Sequence, residues 1–272
     1  DPNEEFIELK NIGTETINLN LVRFIEGIDF TFGDMELAGG QYVVVVKDQA
    51  AFDAQYPGFS ALIAGQYSGR LENRGERIRL EDAIGRTILD FDYEDRWRDI
   101  TDGGGFSLTI IDPTADPNNW DKKDSWRASA YEGGSPGDDD SGIIPNPGAI
   151  VINEVLAHSY DGEAHWIELY NTTDAEIDIG SWYLSDNDAN LMKYRIADGT
   201  AIGRRDYIVF YENMDFNNPS DPGCIIPFAL SENGEMVCLS SAEGGPPGTG
   251  VLTGYRDIER FGASAAGVSF GR

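Results

Sequence analysis

The chain has two histidines, so any imidazole chemistry must start from them. His158 and His165 flank Ser159-Tyr160-Asp161-Gly162, with Glu154 and Glu168 on the apolar runs to either side. A zinc centre needs three or four ligands converging at helical or knuckle spacing, and that spacing is absent. The pair reads as loop-flanking histidines on a surface hairpin. Calcium suits the acids better. Asp186, Asp188 and Asn190 put side-chain oxygens at alternate positions, as calcium loops begin. Leu191, however, stands where an EF-hand requires glycine, and Ala197 where it requires a bidentate glutamate. A looser calcium loop and an ordinary solvated turn are the remaining alternatives, and no metal site or other cofactor is assigned. Asp138-Asp139-Asp140 could also gather an ion, but a charge run of this kind reads as solvated.

Catalytic groups are sparse. Asp90, Asp92, Glu94 and Asp95 invite a paired-carboxylate glycosidase reading. Alternation instead sets Asp90 and Asp92 on a solvent face opposite Leu89, Phe91 and Tyr93, with no apolar pocket to tune them. No nucleophile elbow, Cys-His pair or phosphate-cradling loop occurs, so the chain is read as a non-enzyme. Trp97, Trp120, Trp126 and Tyr131 could form a flat sugar-stacking face, while Trp166 and Trp182 read as core. Cys224 and Cys238 lie symmetrically about Ser231-Glu232-Asn233-Gly234, a turn signal. A hairpin there would bring them together; a surface cross-strand disulfide and two free thiols are the alternatives.

The elements that must carry these groups are strands. Phe6-Ile7-Glu8-Leu9-Lys10-Asn11 returns as Trp166-Ile167-Glu168-Leu169-Tyr170-Asn171, and Ile17-Asn18-Leu19 is answered by Ile177-Asp178-Ile179. Each copy reads as two strands joined by a turn, with Glu8 and Glu168 pointing outward and Asn11 and Asn171 at the turn. Gln41 to Val46 is a buried β run. Ala50 to Tyr56 is a short helix with Asp48 as N-cap and Pro57 as a stop. With 32 glycines and 12 prolines in 272 residues, many short strands and tight turns are expected. A repeat offset this long marks two whole domains, since solenoid units recur every ~20–50 residues. The domains are placed at 1–137 and 149–272, with 138–148 as an acidic Gly/Pro linker. The first domain lacks the opening strand Ile150–Val155 of the second, and the second lacks a counterpart to 109–137, so a fragment of a longer chain is expected. The net charge of −28 is spread over both halves. It opposes binding to nucleic acid and suits a salty exterior, and no apolar run is long enough to span a membrane.

Val151-Ile152-Asn153-Glu154-Val155, Trp166 to Asn171, Gly180-Ser181-Trp182-Tyr183-Leu184-Ser185-Asp186, Tyr194 to Thr200 and Gly267 to Arg272 together resemble the lamin tail domain. Residues 6–11 are similar, although Val22 stands where Trp182 does, and Trp120 followed by Gly134-Ser135-Pro136-Gly137 resembles the close of secreted bacterial members. The resemblance implies an all-β protein of two immunoglobulin-like β-sandwich domains in tandem, which the strand count supports independently. It also implies an extracellular or cell-surface setting and a non-catalytic structural or adhesive role toward other protein domains or cell-surface components. The alternative is an accessory carbohydrate- or calcium-binding module attached to an extracellular hydrolase.

Overall fold

The computed structural model describes residues 2–272. They divide into two compact units, Asp1–Ser141 and Gly142–Arg272. Unit one runs β1 (Phe6–Lys10), β2 (Ile17–Asn18), β3 (Arg23–Glu26), β4 (Ile28–Thr31), β5 (Glu36–Leu37), β6 (Tyr42–Val46), α1 (Gln49–Gln55) and β7 (Leu62–Gln66). It continues with β8 (Ser68–Gly69), β9 (Arg77–Glu81), β10 (Thr87–Asp92), β11 (Phe106–Ile110) and β12 (Trp126–Glu132). One sheet has the order β1-β6-β7 and the facing one β10-β9-β3-β4-β8. Phe24, Phe32, Leu37, Val43, Val45 and Leu80 fill the core between them.

Unit two runs β13 (Ile150–Leu156), β14 (Trp166–Asn171), β15 (Ile177–Asp178), β16 (Tyr183–Ser185), β17 (Tyr194–Arg195) and β18 (Ala201–Ile202). After these come β19 (Tyr207–Tyr211), β20 (Gly234–Glu243), β21 (Val251–Gly262) and β22 (Phe270–Gly271). Its sheets have the orders β19-β14-β13-β22 and β17-β16-β20-β21. The inner faces bury Ile167, Leu169, Ile179, Leu184, Ile196, Val237 and Leu239.

The recurring stretch, residues 6–11 and 166–171, forms a strand in both units, but it does not pair with the strand that follows it. β1 pairs with β6 and β14 with β19, both antiparallel, while the short β2 and β15 pair with β5 and β18. The turn that joins the two expected strands is therefore a crossing from one sheet toward the other. Asn11 and Asn171 make that crossing. Each is buried. Asn11 Nδ2 donates to the carbonyls of Glu15 and Leu37, and its Oδ1 accepts from the Gly13 amide. Asn171 Nδ2 donates to Ala175, Ile202 and Gly203, and its Oδ1 accepts from the Thr173 amide. The amide closes the turn and fastens it to the two-residue ladder beyond, which satisfies backbone groups that burial would otherwise strand. A left-handed non-glycine follows at the same offset in both units, Leu21 (φ 65) and Ser181 (φ 72).

The units differ on the outer face of the sheet that holds β1 or β14. All of Val43–Val46 is buried because the sheet is covered on both sides. Val43 and Val45 face the sandwich core; Val44 and Val46 pack under Phe52 of α1, with Phe6, Tyr56, Phe59 and Ile63. The helix is capped as expected, the Asp48 carboxylate accepting from Ala51 N at 2.9 Å. It crosses over to β7, which runs parallel to β6 and pairs Ile63 with Val44. Unit two has neither element. Trp166, Glu168 and Tyr170 share its outer face and are only half-buried, so Trp166 is not core as the sequence suggested; Trp182 is. Residues 166 and 168 alternate with buried Ile167 and Leu169, which forces tryptophan and glutamate to the same side.

Candidate functional site

The residues singled out for chemistry do not assemble into one centre. His158 Nδ1 lies 2.9 Å from the Ser264 carbonyl, with Nε2 3.6 Å from Glu232. His165 Nδ1 faces Glu212 Oε2 at 3.1 Å, a carboxylate that also accepts from Leu230 N. Glu168 accepts from Asn153, and Glu154 from the Ser269 hydroxyl. Each histidine thus has its own partner. In the loop after β16 the oxygens proposed for calcium are committed to cations: Asp186 to Lys193, and Asp188 to Arg260 at 3.4 Å. The Asn190 carbonyl accepts from the Ser185 hydroxyl. Among the described residues no group of three or more histidine, cysteine, aspartate or glutamate side chains is arranged to hold a metal.

Of the acidic row after β9, Asp90 is likewise paired. Arg77 forks onto Asp90 with both bonds at 2.6 Å, and its guanidinium holds the Asp90 carboxyl below its ordinary range. The tryptophans form no sugar-stacking platform. Phe91, Trp120 and Trp126 pack ring against ring with centroids 5.2–5.9 Å apart, and Trp97 joins Trp126 at 6.2 Å. Trp97 and Trp126 are buried, and the Trp126 indole N–H donates to the Trp120 carbonyl. Their faces are spent on one another and on closing unit one beside β10. Tyr131 remains partly exposed, outside this cluster.

Of the two alternatives open for the cysteines, the cross-strand disulfide is not formed in this structure. Both cysteines are free, and Cys238 is buried on β20 between β16 and β21. Residues 224–230 form no strand against β20, so the turn at 231–234 closes no hairpin; Cys224 instead meets Phe216 O and bridges to Tyr194. Burial raises the Cys238 thiol to about 11.

Sequence reasoning missed a buried electrostatic site in unit one. The segment expected to be a solvated linker turns back over β1, on the side away from the sandwich core. Gly137 N donates to Glu8 Oε1 at 2.5 Å, and Asp139 pairs with Lys10 at 3.1 Å. Asp140 is buried in an ion pair with Arg127, their side chains only 6% and 5% exposed. Ala130 N and the Ser135 hydroxyl complete the Asp140 shell. Burial alone would push this carboxyl up, but Arg127, Ala130 and Ser135 together hold it below its ordinary range. Glu8 goes the other way. Burial, with Asp140 and Asp138 adding to it, lifts Glu8 to about 7 against the pull of the Gly137 amide. A glycine-rich acidic run can pack when a buried arginine waits for one of its carboxylates, and nothing in the pattern around Arg127 marks it as buried.

Two facing sheets, antiparallel except where β7 joins β6, and fastened by a buried asparagine at the crossing, define an all-β protein built of immunoglobulin-like β-sandwiches. Residues 144–246 match the family model of the Lamin Tail Domain, a non-catalytic immunoglobulin-like module. The match runs through unit two from before β13 to just past β20 and leaves unit one outside it. Comparison with curated proteins finds no match. No helix among the described residues is long and apolar enough to cross a membrane.

Proposed function

We propose that the chain is a non-catalytic interaction module of a bacterial surface or secreted protein, formed by two tandem lamin-tail-like sandwiches that space or dock other domains. One observation carries the reading: two ladders and a four-stranded sheet order of the matched unit recur in the unmatched one. The ladders β14–β19 and β15–β18 are answered by β1–β6 and β2–β5, and Asn171 by Asn11 with the same kinds of bonds. The sheet order β17-β16-β20-β21 is answered by β4-β3-β9-β10. Divergence that preserves a buried polar clasp and loses the surface is what a reused scaffold leaves behind. The net charge of −28 supports an exterior setting, where salt screens self-repulsion.

An antibody against the chain, applied to fractionated and protease-treated source cells, tests the setting. Recovery in the medium, or in a protease-accessible surface fraction cross-linked to other proteins, is expected. Confinement to the cytoplasm would overturn the proposal.

A further inference from the structure

The crossover that unit one builds over its own sheet leaves its counterpart in unit two bare. By register, Val209 of β19 stands where Val44 of β6 does: Tyr211 faces Trp166 as Val46 faces Phe6. In unit one the far edge of β6 is occupied by β7, parallel, with Ile63 beside Val44. In unit two β19 ends its sheet, and among the described residues no strand pairs with that edge.

The direction of the free groups follows from the ladder. Asn171 N donates to Asp206 O and Glu212 N to His165 O, so the even-numbered residues of β19 bond inward to β14. Tyr207, Val209 and Tyr211 therefore turn their backbone groups outward. Two of these are blunted locally: Tyr207 N donates to Asp206 Oδ1, and Tyr211 N to Asp215 Oδ2. The Val209 peptide groups between them have no such cover, which leaves a short window for strand pairing. Beside it Tyr207 is 50% exposed, Tyr211 39% and Met214 61%, with Tyr170 stacked on Tyr207 at 4.4 Å. Exposed tyrosine and methionine next to an open edge is the composition of a contact surface. Glu168 lies opposite Val209 in the ladder, Asp206 and Asp215 flank the strand, and Arg205 is already paired with Asp174, which favours a cationic partner.

We propose that the outer edge of β19 takes a strand from a partner protein: an extended apolar segment flanked by lysine or arginine, lying parallel to Tyr207–Tyr211. This is β-strand addition, in which backbone bonds give affinity and alternate side chains give selectivity. The partner supplies in trans what Leu62–Gln66 supplies in cis to unit one. The inference rests on reading the chain as an interaction module and names the partner class.

The probe is a synthetic peptide of residues 58–69 with two lysines added at each end, titrated into the full chain. Saturable binding in the micromolar range is expected, weakening several-fold on raising the salt, with the Val209 amide gaining hydrogen-exchange protection. Methylating alternate peptide nitrogens should cost at least tenfold while leaving the protein untouched. Val209→Pro should cost as much, because its outward N–H is lost without removing a bond to β14. Absent binding, or equal binding of the methylated peptide, would overturn the proposal. Undiminished binding to a folded Val209→Pro variant would do so too, placing the peptide at β6 by exchange with β7. Dimerisation of the chain alone that Val209→Pro abolishes would assign the edge to a second copy instead. Any of these failures would leave the surface-module reading standing, because cell fractionation tests that separately.

Discussion

Glu8→Gln should stabilise unit one near neutral pH and flatten its pH dependence. Glu8 lies under the 134–140 segment, where burial first, and Asp140 and Asp138 after it, raise its carboxyl from 4.5 to about 7. The folded unit therefore holds a proton between pH 4.5 and about 7 that the unfolded chain has released. Stability falls as pH rises through that window, and the full cost of ionised Glu8 is present above it. At ~1.4 kcal/mol for each tenfold change in proton affinity, the cost approaches about 3 kcal/mol. Glutamine keeps an oxygen for the Gly137 amide and carries no charge. Urea unfolding at intervals from pH 4.5 to 8, with hydrogen exchange of the β6 amides reporting unit one alone, measures the difference. The wild type and the variant should coincide near pH 4.5 and separate by about 3 kcal/mol at pH 8. Parallel curves would refute the argument, showing that Glu8 ionises in the folded state as freely as in water.

Other expectations follow from the same geometry. Asn171→Ala removes three donated bonds and leaves buried carbonyls without partners, costing unit two about 3 kcal/mol in denaturant titration. Asp140→Ala strands a buried guanidinium and should cost unit one about 3–5 kcal/mol, with exchange protection lost from β12 and residues 134–140. A surface substitution such as Asp138→Ala should be nearly silent by the same measurement. Thiol titration without reductant should count two thiols in denaturant, whereas in the native protein Cys238 should react far more slowly than Cys224. Calcium added after chelation should leave the melting temperature unchanged, because Asp186 and Asp188 are already paired with Lys193 and Arg260. A rise of several degrees would show that the loop opens to take the ion.

Local and periodic features could be read from the chain alone. Alternation placed Ile7, Leu9, Ile167 and Leu169 on inner faces, the Asp48 cap and Pro57 bounded α1, and the repeat exposed Asn11 and Asn171 as a matched pair. These signals are legible because each depends on backbone geometry within a few residues. Which strand partners β1, and what covers its outer face, depended on residues far along the chain. Alternation gives two faces and does not say whether the second is wet. Glu8 and Glu168 read alike in sequence, yet one lies beneath a returning segment and the other on an open sheet. The same limit hid the burial of Asp140, which turns on Arg127 waiting inside, and the mutual packing of Trp97, Trp120 and Trp126. Tertiary structure alone decided which polar groups were desolvated, because desolvation depends on everything that surrounds a group and not on its neighbours in the chain.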